Sequence, residues 1–262
     1  MFRTRKQVVA ILMNLKKKGL LREISSAVAK STPSLSSLRS IELGLDPIPL
    51  KISKSASRWS SIFNTRELTT VLQDIPPQDR IRLNIKGIYV LDGAEMGRTV
   101  REHMFMSTSS HMRASVELKY KDAGASVFGA HIRGRIFLNA EEISKAGEEM
   151  KNIIPDIRAD QTQRAVHNRL TNTLLHEAGH NLDSPKASPG KWKGQTAISD
   201  NEDFIRAVIG HPGARITDSD RADARERFAQ IYVHWTSERG LFELMEKTSE
   251  PYRAFRKLME ES

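Results

Sequence analysis

Two histidines spaced one helical turn apart set the strongest limit on how this chain can fold. His176 and His180 lie within residues 160–182, where apolar residues recur with helical periodicity. On a helix, side chains four residues apart project from one face, so both imidazoles can reach a single ion. The segment is therefore predicted to be a helix that presents two ligands at the spacing that suits one Zn²⁺.

The residues between these histidines strengthen the interpretation. Glu177 follows the first histidine directly, so its carboxylate can act as general base on a water at the open position of the metal. This H-E-x-x-H pattern is that of zinc peptidases. Gly179 costs about 1 kcal/mol relative to alanine within a helix, which predicts a tight packing contact at that position. The alternative is a pair of surface histidines on an exposed helix.

A catalytic zinc site needs a third protein ligand, with the fourth position left to water. No histidine follows the motif closely, since the next one is His211. A carboxylate from a later helix is the other common solution, and Glu226 lies near the apolar side of the helix predicted to begin at Asp220. Asp220 and Asp223 lie in the entry turn, where they complement the helix dipole. Glu226 is therefore the candidate third ligand.

Together the two segments resemble the anthrax lethal factor-like metallopeptidases, which include the lethal factor catalytic domain and the clostridial Pro-Pro endopeptidases. His176-Glu177-Ala178-Gly179-His180 with Asp183 matches the family motif H-E-x-G-H-x-x-D, and Glu226-Arg227-Phe228-Ala229, 46 residues after His180, matches E-x-F-A. The resemblance spans roughly residues 75–250. It implies an endopeptidase with a single Zn²⁺ held by His176, His180 and Glu226. Glu177 would be the catalytic base, and Asp183 a supporting residue next to the ligands.

One residue of the family pattern is missing. Family members usually have a tyrosine about two turns before the glutamate ligand, where its hydroxyl helps to stabilise the oxyanion. The position seven residues before Glu226 is Ser219, and no tyrosine lies between the first motif and Tyr232. Tyr232 follows the glutamate and is predicted to be a core residue. His211 and Arg215 are the candidate oxyanion stabilisers in its place.

Together with this resemblance, the pattern of elements predicts an α+β fold of the zincin-like type. A small mixed sheet packs on the active-site helix, and a helical C-terminal subdomain follows. The predicted strands are Arg80–Leu91, Ala114–Tyr120, Ser126–His131 and Arg135–Leu138. The predicted helices are Ala140–Lys151, Asp160–Leu182, Asn201–Ile209, Asp220–Lys247 and a short last helix opened by Pro251. An edge strand, Arg135–Asn139 or Ser126–His131, is expected to pair with an extended protein or peptide substrate.

The positive charge of the chain is concentrated at its start. Residues 1–60 hold 12 Lys/Arg against three acids, whereas the remaining 202 residues hold 29 of each. This division predicts a basic, serine-rich leader or arm at 1–60 and a metallopeptidase domain at 61–262. The composition of this leader resembles that of an organelle transit peptide, or of the leader of a toxin or effector that is secreted or translocated into a target cell without a cleaved signal peptide. The alternative is an ordinary basic surface segment. The leader also offers a contact with an anionic membrane surface.

Composition excludes several other functions. The chain has no cysteine, which rules out thiolate zinc sites, a cysteine nucleophile and a disulfide scaffold. No apolar segment reaches the ~20 residues of a membrane span. The basic residues of the leader lack interleaved aromatics, so nucleic-acid binding is not favoured. Phe105-Met106-Ser107-Thr108-Ser109 resembles the S-T-S strand of ADP-ribosyltransferases, but no E-x-E follows at a suitable spacing.

Three functions therefore compete, of which the third, an ADP-ribosyltransferase, depends only on the segment Phe105–Ser109. The first is a zinc-dependent endopeptidase. The second is a non-enzymatic binding protein that uses its basic arm on nucleic acid or an anionic membrane and has a structural or decayed metal site. The missing tyrosine keeps the second function open. None of these functions comes with an oligomeric state that the sequence can specify.

Overall fold

The computed structural model of this chain describes residues 35–41, 47–107, 127–183, 197–211, 213 and 215–261. Its strands are β1 Leu35–Ile41, β2 Ile48–Ser53, β3 Gly87–Leu91, β4 Gly129–Ile132 and β5 Arg135–Asn139. Its helices are α1 Thr65–Gln73, α2 Pro77–Arg82, α3 Gly93–Ser107, α4 Ala140–Ile153, α5 Ala159–Asp183, α6 Glu202–Ile209, α7 Asp218–Ser237, α8 Arg239–Thr248 and α9 Glu250–Glu261. Short 3-10 turns lie at Ser57–Trp59 and Ile198–Asp200.

The five strands form one mixed sheet in the order β1-β2-β3-β5-β4. β2, β3 and β5 run parallel to one another, and β4 pairs antiparallel with β5 across a tight turn at Arg133 and Gly134. β4 is therefore the last strand of the sheet, and none of the described strands covers its outer edge. A small mixed sheet combined with many helices is the mixed α and β architecture that the sequence predicts.

A large core joins the sheet to the C-terminal helices. The core contains Leu50, Ile88 and Ile136 from the strands. It also contains Leu174 and Leu175 from α5. Aromatic rings with no exposed surface fill its helical part: Phe204, Phe228, Tyr232, Phe242 and Phe255. The alternate strand residues, such as Phe137, enter a smaller cluster on the other face of the sheet. The helices after β5 thus form one body with the sheet.

Helix α5 begins exposed and ends buried. Its first turns are open to solvent, whereas most of its residues from Thr173 onward are buried. The buried half lies between β4 and α7, both of which contact it. A helix enclosed in this way has little exposed surface, so the polar side chains of its second half must find partners inside the protein.

Gly179 marks the close approach of α5 to α7. A Cβ at this position would lie 3.0 Å from the Cα of Ala229 and 3.2 Å from the Cβ of Tyr232. Ordinary carbon–carbon contacts are about 3.5–4.0 Å, so a larger residue would push the two helices apart. The tight contact predicted at Gly179 is confirmed. Tyr232 is fully buried on this side of α5, which confirms its prediction as a core residue.

The structure corrects the predicted domain boundary between residues 60 and 61. Leu50–Ile52 of β2 pair in parallel with Ile88–Val90 of β3, so this boundary would cut through the sheet. The compact unit that holds the sheet and helices spans Ser36–Ser262. The charge count led to the wrong boundary because a strand can be both basic and part of the core. In β2, Lys51 lies between Leu50 and Ile52, which are both buried.

Several predicted elements take a different form. The segment Arg80–Leu91 begins with the end of α2, and only its last five residues form β3. The helix predicted at Asp220–Lys247 is two helices, α7 and α8, which meet at Glu238. Phe105, Met106 and Ser107 of the S-T-S-like segment form the end of helix α3, whereas Thr108 and Ser109 lie outside the described residues. The predicted strand Ala114–Tyr120 lies outside the described residues. Among the helices that are described, none is long and apolar enough to cross a membrane.

Candidate metal centre

His176, His180 and Glu226 meet where α5 and α7 face each other. The Nε2 atoms of the two histidines lie 3.1 Å apart. Each faces a different oxygen of the Glu226 carboxylate, at 3.4 Å for His176 and 3.3 Å for His180. The two imidazole rings are nearly perpendicular, at 88°, which lets both nitrogens converge without a ring clash. The structure thus brings together the three residues predicted as ligands.

The spacing of these ligand atoms fits a metal ion. Two atoms that are each about 2.0–2.1 Å from a tetrahedral zinc lie about 3.3–3.4 Å from each other. The observed separations of 3.1, 3.3 and 3.4 Å are close to that value. Two imidazole nitrogens and one carboxylate are also a donor set found in catalytic zinc sites. His176, His180 and Glu226 can therefore hold a metal ion.

Glu226 is held in its charged form. Hydrogen bonding to His176 and His180 is the largest cause, and it lowers the pKa of Glu226 far below its usual value. Helix α7 starts at a fixed point because Thr217 and Asp220 form a reciprocal capping box. An ionised carboxylate therefore faces two imidazole nitrogens, and a metal ligand must be deprotonated in this way.

Glu177 lies in the same cavity as this triad, but its side chain is buried, with 5% of the residue exposed. Burial raises the pKa of Glu177 to about 7. The positive charge of His176 opposes this rise, the negative charge of Glu226 adds to it, and a hydrogen bond from the backbone N–H of His131 also opposes it. A buried carboxyl group with a raised pKa, next to a metal-binding triad, is typical of a general base.

The outer edge of β4 borders the site. The N–H of Asn139 donates to the carbonyl of Phe128 at 2.8 Å, so the antiparallel pairing turns the backbone polar groups of Gly129 and His131 away from β5. The strand comes very close to α5 at Gly129. A Cβ there would lie 2.7 Å from Cγ2 of Thr173 and 2.8 Å from Oε1 of Glu177. Only glycine permits this approach.

The sequence analysis did not identify His131 and Asn181, which connect β4 to α5 at the site. The Nε2 of His131 accepts hydrogen bonds from the N–H of Gly134 and from Nδ2 of Asn181, each at 3.1 Å. Asn84 holds the Asn181 amide, because its N–H donates to Oδ1 at 2.8 Å and its carbonyl accepts from Nδ2 at 3.3 Å. One signal was available: Asn181 is an amide in the apolar half of a helix, one turn after Glu177.

Asp183 anchors the turn that precedes α6. Its Oδ1 accepts from the N–H of Ser199 and its Oδ2 from the hydroxyl of the same residue, both at 2.7 Å. The next residue, Asp200, accepts from Nη2 of Arg225 at 3.1 and 3.2 Å. Burial raises the pKa of Asp183, while the two bonds from Ser199 oppose the rise. Because Arg225 directly precedes Glu226, these contacts connect the end of α5 to the ligand on α7.

The two candidate oxyanion stabilisers lie away from the triad. His211 and Arg215 are exposed between α6 and α7, and neither lines the cavity that contains the metal ligands. Tyr232 lies behind α5, where its hydroxyl donates to Oδ2 of Asp79 at 3.4 Å. The role suggested for His211 or Arg215 stays a prediction, without a supporting contact among the described residues.

The triad opens into a cavity of about 1150 Å³, which lies between β4, α5 and α7. Val127 and Phe128 make one part of its wall apolar. The guanidinium of Arg169 lies 5.0 Å from the centre of the Phe128 ring and pairs with Glu149 at 2.6 Å. Ligand pockets typically measure about 300–1,000 Å³, so this space can accept a sizeable substrate.

Comparison with known proteins does not identify a family or a function for this chain. No family model matches the chain, and neither the curated proteins nor the solved structures include a significant match to it. The function must therefore be argued from the residues of the site.

Proposed function

We propose that this protein is a zinc-dependent endopeptidase. The observation that carries the proposal is the position of Glu177, a buried carboxylate that shares one cavity with the His176–His180–Glu226 triad and with the outer edge of β4. A structural zinc site is closed by four protein ligands and needs no such neighbour. Three ligands, a base and a sheet edge in one cavity are the parts that peptide hydrolysis requires.

In this proposal His176, His180 and Glu226 hold the ion. A bound zinc ion supplies Lewis-acid chemistry, since it lowers the pKa of a coordinated water and polarises a carbonyl. Glu177 takes a proton from the attacking water as the water oxygen bonds to the carbonyl carbon. It then gives that proton to the leaving amine as the carbon–nitrogen bond breaks. The carboxylate is thus restored at the end of each cycle.

The substrate is proposed to bind in extended form along β4. Gly129 directs its backbone N–H and C=O away from β5, and His131 its C=O, so an extended peptide can pair with these groups as an additional strand, while the N–H of His131 stays bonded to Glu177. Side chains of such a peptide alternate between the two faces of the sheet. β4 corresponds to the predicted candidate Ser126–His131, whereas the other candidate, β5, is an interior strand.

The proposal also includes membership of the lethal factor-like metallopeptidases and a zincin-like form of the α+β fold. It is supported by the way the two motif segments meet. Gly179 of the first segment packs against Ala229 of the second, and Phe228 is buried beside them. The apolar residues of both motifs thus set the distance between the helices, while the polar residues form the metal site.

The test is metal analysis combined with a peptide-library cleavage assay on the full chain. We expect about one zinc per chain, and cleavage that stops on chelation and returns with added zinc. Glu177→Gln should retain zinc and lose cleavage, because the isosteric amide cannot take the proton. Glu250→Gln, an exposed change in the first turn of α9, serves as the matched control and should cleave like the native protein.

The outcome decides between the first two functions. Equal cleavage by the native protein and Glu177→Gln would exclude Glu177 as the base. A native protein that holds zinc and cleaves no member of the library would indicate a structural or decayed site.

The specific observation that favours a second function is the charge of residues 1–35. They hold eight Lys/Arg and one acid, while residues 36–262 hold 33 and 31. This segment would suit contact with an anionic membrane surface, or the translocation of a secreted toxin or effector. Deletion of residues 1–35 should abolish salt-sensitive binding to phosphatidylserine vesicles and leave zinc content unchanged. Unchanged vesicle binding would exclude this role.

A further inference from the structure

We propose that His131 supplies an N–H donor, from Nδ1, to the carbonyl oxygen of the peptide bond that is cleaved. This inference rests on the proposed peptidase function and adds a catalytic residue to it. His131 lies on the edge strand β4 and lines the cavity that contains Glu177 and the metal-binding triad. Three properties carry the inference: its tautomer, its charge and the exposure of its second nitrogen.

The hydrogen bonds around His131 determine its tautomer. Nε2 faces two N–H groups, from the backbone of Gly134 and from Nδ2 of Asn181. The Asn181 amide cannot be reversed, because its Oδ1 accepts the N–H of Asn84 at 2.8 Å. A proton on Nε2 would point at two other protons. Nε2 therefore carries the lone pair, and the ring proton lies on Nδ1.

The same surroundings keep the imidazole neutral. A second proton could only be added at Nε2, where Gly134 and Asn181 already donate. Burial lowers the pKa of His131 to about 4, and the positive charge of His180 lowers it further in the same direction. At neutral pH the Nδ1–H group is therefore a neutral donor. Its donor capacity does not depend on gaining a proton.

Nδ1 is accessible, and the residue that carries it lines the cavity. Hydrogen bonds of His131 to described residues involve Nε2 and the backbone, and none of those residues provides an acceptor for Nδ1. In the described part of the chain, the buried side-chain nitrogens without a partner are Nε of Arg80 and Nε1 of Trp235. Nδ1 of His131 is not one of them, so it is accessible. The residue thus holds Glu177 through its backbone N–H and carries a second N–H on a ring of a residue that lines the same cavity.

Peptide hydrolysis gives such a donor a defined role. Negative charge develops on the carbonyl oxygen while the water oxygen bonds to the carbon and the water proton moves to Glu177. A donor that is already fixed stabilises this charge without reorganising. Nδ1 keeps its proton throughout, because the proton on the leaving amine comes from Glu177. His131 therefore acts by hydrogen bonding and not as an acid.

The first test is independent of metal and activity. We expect nitrogen NMR of the full chain with ¹⁵N-labelled histidine to show, for His131 at neutral pH, a protonated Nδ1 and an unprotonated Nε2. Assignment comes from the spectrum of His131→Phe. A spectrum with Nε2 protonated, as the other tautomer or as imidazolium, would overturn the inference.

The second test is kinetic. His131→Phe keeps a ring and removes both nitrogens. Loss of one oxyanion donor lowers kcat by about 100- to 1,000-fold, so kcat should fall while KM and zinc content change little. His167→Phe is the matched control, since His167 is a half-exposed histidine of α5 that does not line the cavity and whose Nδ1 lies 3.5 Å from the carboxylate of Glu67. It should keep kcat within about twofold of the native value.

Asn181→Ala separates catalysis from the anchoring of β4. This variant removes one hydrogen bond to Nε2 but leaves Nδ1–H in place, so it should lose less activity than His131→Phe. An equal loss in both variants would show that His131 only holds the strand. Native-like cleavage by His131→Phe, with Glu177→Gln inactive, would refute this inference and leave the peptidase intact. A native protein without Glu177-dependent cleavage would refute both.

Discussion

The two walls of the cavity hold helix α5 in different ways. The strand wall, β4, contacts buried groups of α5, without ion pairs among the described residues: Gly129 against Thr173 and Glu177, and the His131 imidazole on Asn181. The helix wall consists of α7 and the turn at Ile198–Asp200. It includes ion pairs of Asp200 with Arg221 and Arg225, whose side chains are 38% and 50% exposed.

This difference gives the two walls different roles: the strand wall determines the position of Glu177, and the helix wall leaves Glu226 accessible. Close contacts without charge cannot adjust, so the strand wall fixes the carboxylate of Glu177. Exposed ion pairs contribute only about 0–1 kcal/mol, so the exposed part of the helix wall is held weakly, whereas Gly179 and Ala229 pack closely in its buried part. Glu226, the proposed third metal ligand, lies on this second wall, with its side chain 69% exposed. An ion could therefore reach Glu226 from solvent, while Glu177, the proposed base, stays enclosed.

The largest effect should come from Glu226 itself. Glu226→Ala removes one of the three proposed ligands. Loss of a residue that only supports a ligand lowers metal affinity by about 10- to 100-fold, so we expect zinc affinity to fall by more than about 100-fold here. Competition with a chromophoric chelator measures it. Asp223→Ala, exposed on the same helix, should bind zinc like the native protein. A full complement of zinc in both Glu226→Ala and His180→Ala would contradict the ligand set.

Gly129→Ala tests the precision of the strand wall. The added methyl would lie 2.8 Å from Oε1 of Glu177, and we expect a loss of about 1–3 kcal/mol in the free energy of unfolding. Denaturant unfolding measures this loss. The matched control is Gly240→Ala, an open position in α8, which should stabilise the protein by about 0.5–1 kcal/mol. An unchanged stability in Gly129→Ala would mean that β4 moves freely.

Ser199→Ala tests the buried part of the helix wall. It removes the hydroxyl that donates to Oδ2 of Asp183, which is 3% exposed. A buried acceptor left without a donor costs about 1–3 kcal/mol, so unfolding should require less denaturant. Ser144→Ala, in the interior of α4, is the comparison and should change stability by less than about 0.5 kcal/mol. Equal effects of the two changes would argue against the Asp183 contact.

The exposed part of the helix wall should respond weakly. Arg225→Ala breaks the pair with Asp200, and we expect a loss of at most about 1 kcal/mol that shrinks as salt is added. A double-mutant cycle with Asp200→Ala isolates the pair. A coupling above about 2 kcal/mol would place this contact with the buried ones and remove the contrast between the walls.

The smallest effect should come from Asp79 and should be a change in the pH dependence of the free energy of unfolding. Asp79 is 2% exposed next to Tyr232, and burial raises its pKa. A carboxyl group with a raised folded pKa favours folding below its unfolded pKa, and this contribution is lost as pH rises through the folded value. Asp79→Asn has no carboxyl group at this position and therefore lacks its pH-dependent contribution to stability. Its stability relative to the native protein should therefore increase from about pH 4 to pH 7, as thermal unfolding can show. A constant difference would contradict it.

Much of the metal centre could be predicted from the sequence, because its information is local. The i, i+4 spacing of His176 and His180 places them on one helical face wherever the helix lies. A glycine within a helix is also a local signal, because it destabilises the helix, and Gly179 correctly indicated a close packing contact. Glu226 was harder, since its partner helix is distant in the chain, and its selection depended on apolar neighbours and on a family resemblance.

Other parts could not be predicted. β1 and β2 were assigned to a basic leader because their charge is visible in the sequence, whereas the burial of Ile41, Leu50 and Ile52 depends on the rest of the sheet. The segment before β3 was predicted as strand, although Pro77 at the start of α2 favours a helix there.

The sequence by itself determined which side chains share a face of α5, because helical periodicity follows from local backbone geometry. It therefore specified two proposed ligands and the proposed base between them. Only the tertiary structure decided that β4 lies against that face, that Glu177 is buried, and that His131, which lines the cavity, meets Asn181 through Nε2. These contacts join residues far apart in the chain. They depend on how the sheet and helices pack, which no local pattern encodes.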